Sequence, residues 1–183
     1  MERRAAAAVF ELRATQDFTV QVGGGVGHGG RLVVEGVHHD FLPGWLATVA
    51  GSWRVVQGDG KAPFVLLTAS FGGAGTRTRA LVAADAADAA DAADTERYLA
   101  FDARVGVAVG WTLFDTLNPY VAARAFGGPI LWRFRGEDRT GTDRYHYQLA
   151  LGASALLPGG FNVLAEGVPL GERGVSVGVG AVF

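Results

Sequence analysis

The chain has 183 residues, 49% of them hydrophobic and 19% charged, with a formal net charge of −2. That length fits one domain; no stretch holds the roughly 18 to 20 consecutive apolar residues of a membrane helix, and no basic excess points to nucleic acid. The absence of cysteine excludes thiolate chemistry, cysteine–metal sites and disulfide stapling.

Taken in chain order, the residues alternate apolar and polar with a period of two, the signature of β-strands with two unlike faces. Ala5 to Phe10 follows Arg3-Arg4 like the front of a signal peptide, but Glu11 ends the run at once, short of the roughly 7 to 15 apolar residues required. An export signal is therefore expected outside this sequence, and 4–14 is read as a strand. In 17–27, Phe18, Val20 and Val22 oppose Thr19 and Gln21. His28 follows in a glycine-rich turn and reads as solvated. A strand over 31–40 carries Glu35 and ends on His38-His39-Asp40. In 45–57, Trp45, Ala47, Val49, Gly51, Trp53 and Val55 oppose Thr48, Ser52 and Arg54. In 63–79, Val65, Leu67, Ala69 and Phe71 oppose Thr68 and Ser70.

A polar loop is expected over 80–97, where Ala83 to Asp94 repeats Ala-Ala-Asp four times. It reads as a solvated segment; it lacks the glycine and terminal glutamate of an ordered Ca²⁺ loop. The strand at 97–113 is the cleanest, with Leu99, Phe101, Ala103, Val105, Val107, Val109, Trp111 and Leu113 on one face and Asp102 and Arg104 on the other. In 119–135, Val121, Ala123 and Ala125 oppose Arg124; after Gly127-Gly128-Pro129 the apolar row becomes Ile130, Trp132 and Phe134, opposing Arg133 and Arg135. This parity change predicts a β-bulge at Gly127–Pro129. A second polar loop is expected over 136–143. In 143–157, Tyr145, Tyr147, Leu149 and Leu151 oppose Arg144, His146 and Gln148; in 161–169, Phe161, Val163 and Ala165 oppose Asn162 and Glu166. The last strand, 172–183, sets Val175, Val177, Val179, Ala181 and Phe183 against Ser176, Gly178 and Gly180.

Short turns at one end and longer loops at the other describe an antiparallel up-and-down barrel of ten strands, or eight if the first piece is not a strand. These features resemble small bacterial outer-membrane β-barrel proteins, from about Phe18 to Phe183. The resemblance is carried by the long alternating strands and by the ending Val175, Val177, Val179, Ala181 and Phe183, which matches the terminal-aromatic signal read by the barrel-assembly machinery in that family. It implies an all-β transmembrane barrel formed by the whole chain, integral to the bacterial outer membrane, porin-like in architecture. The implied partners are membrane lipid and the assembly machinery, with no nucleic acid and no cofactor or metal; the ligand of the outer loops is left open. Trp45, Trp53, Trp111, Trp132, Tyr120, Tyr145 and Tyr147 lie near strand ends, where interfacial aromatics are expected.

On this reading the lumen carries Glu35, Arg54, Asp102, Arg104, Arg124, Arg133, Arg135, His146, Gln148, Asn162 and Glu166. A barrel of about eight strands is only wide enough for side chains to fill it, so an interlocked arginine–carboxylate network plugging the lumen is expected. The competing reading is a narrow anion-preferring pore using Arg124, Arg133 and Arg135. A rim hydrolase using His38, His39, Asp40, Asp143 or His146 finds no serine in a local motif, and adjacent residues of a strand diverge. The expected role is accordingly non-enzymatic. A soluble lipocalin-like carrier would need the apolar rows inside.

Overall fold

The computed structural model describes residues 4–34, 37–59, 61–81, 95–134, 136–171 and 173–181, and its regular structure is entirely β. The strands are β1 (Arg4–Arg13), β2 (Phe18–His28), β3 (Arg31–Val34), β4 (Val37–Phe41), β5 (Gly44–Val56), β6 (Phe64–Leu81) and β7 (Thr95–Gly110). They continue as β8 (Leu117–Gly127), β9 (Pro129–Phe134), β10 (Glu137–Thr142), β11 (Tyr147–Leu157), β12 (Phe161–Leu170) and β13 (Gly174–Ala181). All thirteen belong to one sheet, whose main path is β1-β2-β5-β6-β7-β8-β11-β12-β13.

The remaining four strands prolong that path at one end. Phe18↔Trp53 in the β2–β5 pair and Arg31↔Asp40 in the β3–β4 pair belong to one register, so β2–β3 and β4–β5 are the two arms of a single long hairpin. The arms break only at Gly29-Gly30, both with positive φ, and at Pro43, which cannot donate to the ladder. The segment 31–40 is thus not a separate barrel strand. The main path has nine strands in place of the expected ten or eight, because 31–40, expected as a strand of its own, is the extension of that hairpin.

The parity change expected at Gly127–Pro129 does not occur. Ala103↔Gly127 and Ala100↔Ile130 lie in the same register, so Phe126, Ile130, Trp132 and Phe134 all share the inner face. Gly128 instead allows a close approach: a Cβ there would stand 1.9 Å from the carbonyl oxygen of Phe101. Residues 137–142, expected as loop, form β10 paired to β9. Register shifts occur elsewhere, at Arg54/Val56 and Leu149/Leu151.

The antiparallel sheet curls into a half-barrel. Nine successive antiparallel neighbours leave β1 and β13 running in the same direction, and no pairing joins them among the described residues. The closed barrel expected from the sequence is therefore not formed in the described structure. Short connections, such as 57–63, mark one end. There the Asp59 carboxylate accepts backbone N–H bonds from Ala62 at 2.7 Å and Lys61 at 3.0 Å, which hold its pKa below the ordinary value.

The two faces are unlike, and the apolar rows point outward. One register line, Leu12–Val20–Gly51–Ala69–Val105–Ala125–Tyr147, crosses seven strands on the convex side. Phe10 is 81%, Val105 60% and Val177 72% exposed. The concave side is packed instead. Ala108, Ala122 and Ala150 form a buried small-residue patch, and Phe41, Tyr98, Trp132 and Phe134 form an aromatic cluster on the prolonged end. This is the reverse of a soluble carrier.

Candidate functional site

The concave face is laced by side chains that each skip a strand. Arg124 on β8 reaches across β11 to Glu166 on β12, donating from Nη1 to Oε1 at 2.7 Å and from Nη2 to Oε2 at 2.6 Å. Such two-point guanidinium–carboxylate contacts fix geometry as well as charge. Tyr120, four residues earlier on the same face of β8, donates its hydroxyl to Glu166 Oε2 at 2.7 Å. The side chains of Arg124 and Glu166 are only 24% and 10% exposed.

Neighbouring strands lie roughly 4.8 Å apart, so a contact between second neighbours needs inward curvature and an empty position between them. Gly152 on β11 supplies the empty position: a Cβ there would lie 2.5 Å from both Cζ and the hydroxyl of Tyr120. On the other side of β8, Gly106 on β7 is the cross-strand partner of Arg124 and leaves room for its side chain, whose Cγ would be 2.9 Å from an added Cβ.

A second arginine repeats the pattern one strand earlier. Arg104 on β7 pairs with Asp102, lies 4.9 Å above the Phe126 ring on β8 and approaches Gln148 on β11 at 3.5 Å. The two clusters touch through register, since Gln148 is the cross-strand partner of Arg124.

The other expected lumen residues divide. Arg54 lies toward the short-turn end, its guanidinium 5.9 Å from the Phe64 ring centroid. His146 is exposed, with Nδ1 3.3 Å from the Phe126 carbonyl oxygen. Arg133 faces outward and is exposed, because the register continues unshifted through Gly128. Glu35 and Arg135 lie outside the described residues, as do Phe183 and the repeat at 83–94. Val175, Val177, Val179 and Ala181 form the expected outward row of β13.

Among the expected rim residues, Asp40 pairs with Arg31 at 3.3 Å. His38 is exposed, whereas His39 is buried edge-on against Trp132 and Phe134 at 5.1 and 5.4 Å. Among the described residues no group of three histidine, aspartate or glutamate side chains is placed to hold a metal ion.

Sequence reasoning missed the roles of Tyr120 and Trp132, which it assigned to an interfacial girdle. Both face inward; the Trp132 indole donates to Thr78 Oγ1 at 3.0 Å. The missed signal was parity, since Tyr120 and Trp132 share even numbering with Arg124 along one unshifted register through β8 and β9. Trp45 and Trp53 do face outward, near opposite ends of β5. No protein-family model, curated protein or solved structure matches the chain.

What this arrangement can do is mechanical and electrostatic. The lacing draws β7, β8, β11 and β12 together on the concave side, while the convex side of the same strands carries the apolar rows.

Proposed function

We propose that this chain is a small integral membrane β-barrel of the bacterial outer membrane, non-enzymatic, with a lumen filled by its own side chains. On this reading it is inserted with the help of barrel-assembly machinery, and its long-loop end is exposed for interaction or an envelope role. The observation that carries the reading is the convex apolar belt. Each large side chain left in water forgoes about 1.5–3 kcal/mol of burial, and soluble monomers rarely expose contiguous apolar patches beyond a few hundred Å². Lipid contact removes that cost. Trp45 and Trp53 stand eight residues apart on β5, about 26 Å along a strand and about 20 Å after a tilt of about 40°, close to the height of a membrane belt.

In lipid, open backbone edges need partners, so the reading requires β1 and β13 to be closed, in parallel sense if they pair with each other. The anion-pore alternative has less support, since Arg124 is committed to Glu166 and Arg133 faces away from the concave side. The test is extraction and gel migration of the purified chain. A requirement for detergent and a shift between heated and unheated samples support the proposal. A chain soluble without detergent and showing no shift overturns it.

A further inference from the structure

The convex face changes character at the long-loop end. Arg77 on β6 is the direct cross-strand partner of Arg97 on β7. Arg133 on β9 continues the row, one position beyond the Tyr98↔Trp132 pair. All three are exposed. Like charges placed opposite one another destabilise a sheet, and none of the three has an ion-pair partner among the described residues.

The arginines border an open cleft of about 910 Å³ whose wall also includes Leu42, Trp45 and Leu99. One carboxylate residue, Glu96, contributes to that wall, from the same inward row as Tyr98. Below the arginines the surface becomes aromatic without a break. The Trp45 indole lies over Gly75, and both Trp45 and Phe101 flank Gly73. Phe101 in turn stacks on Phe71 at 6.4 Å.

We infer that this cleft binds the phosphate of an anionic membrane lipid. The guanidinium fork matches phosphate oxygens, and a bound phosphate would relieve the repulsion along the row. The acyl chains would descend over Trp45, Phe101 and Phe71, which is why a lipid fits the cleft better than free phosphate. The inference rests on the membrane reading proposed above.

The test uses the full chain in phosphatidylcholine vesicles, with Trp53→Phe and Trp111→Phe so that Trp45 reports alone on the convex face. A small fraction of acyl-brominated lipid is added, either phosphatidylglycerol or phosphatidylcholine. Brominated phosphatidylglycerol is expected to quench Trp45 at a roughly hundredfold lower fraction than the zwitterionic lipid. Inorganic phosphate added at millimolar concentration should leave that preference intact. Replacing all three arginines by Gln should abolish the preference, at roughly fivefold per arginine, with the gel shift retained. Should the triple variant fail to fold, Arg97→Gln alone is expected to weaken the preference roughly fivefold. Equal quenching by the two lipids, a preference that survives the arginine variants, or its loss in inorganic phosphate overturns the inference while leaving the membrane reading standing. Absence of quenching by either lipid overturns the membrane reading as well.

Discussion

Tyr120 and Glu166, on strands that are not neighbours, are joined by a 2.7 Å hydrogen bond that passes over Gly152. The bond exists because the intervening position has no side chain. Gly152→Ala is expected to push the Tyr120 ring aside and cost about 1–3 kcal/mol of unfolding free energy. Tyr120→Phe removes only the hydroxyl and should cost about 1 kcal/mol. Urea unfolding of the two variants and their double should show clear non-additivity; additive effects would mean that glycine and tyrosine do not share one strain.

Arg124 and Glu166 form a largely enclosed ion pair on the concave face. Either Arg124→Met or Glu166→Gln leaves its partner without compensation. Each is expected to cost roughly 2–3 kcal/mol, below the range for fully buried pairs, because Arg124 keeps some exposure. The double variant should recover part of the loss in the same unfolding measurement.

At the prolonged end, Phe134 is 2% exposed within the cluster of Phe41, Tyr98 and Trp132. Phe134→Ala is expected to cost about 3 kcal/mol and to loosen the β4, β6, β7 and β9 extensions first. Hydrogen exchange should therefore rise there before it rises around Ala122 and Ala150. Simultaneous loss of protection in both regions would contradict independent clusters.

The chain contains no cysteine, which makes edge cross-linking clean. Cysteine pairs drawn from Ala6, Ala8 or Phe10 on β1 and Val175, Val177 or Val179 on β13 should include one that forms an intrachain disulfide in membranes. Exclusively interchain products would assign closure to a second copy.

Much of this architecture was legible in the sequence, because period-two alternation assigns faces wherever one side is wholly apolar. The outward rows of β5, β6, β7, β11 and β13 follow from it residue by residue, and so does the inward placement of Arg104, Arg124 and Glu166. The errors share one cause, which is equating apolar with outward along an entire strand. Beyond Gly128 the inner face is itself aromatic, so Ile130, Trp132 and Phe134 suggested a parity change that the register does not contain. The strand count is a separate case. The glycine-rich turn read at His28 is only a break at Gly29-Gly30 within one hairpin arm, so 31–40 prolongs β2 and β5 and adds no barrel strand. The partnership of Tyr120 with Glu166 was not legible, since it depends on curvature and on a gap at Gly152, neither of which alternation encodes.

On the membrane reading, the convex face meets lipid and the concave face does not. A single-cysteine scan along β7 from Leu99 to Ala108, labelled with a nitroxide in reconstituted vesicles, tests it directly. Leu99, Phe101, Ala103, Val105 and Val107 are expected to be reached by membrane-dissolved oxygen, and Ala100, Asp102, Arg104, Gly106 and Ala108 are not. The opposite parity, no periodicity, or a chain that stays in the aqueous phase would contradict it.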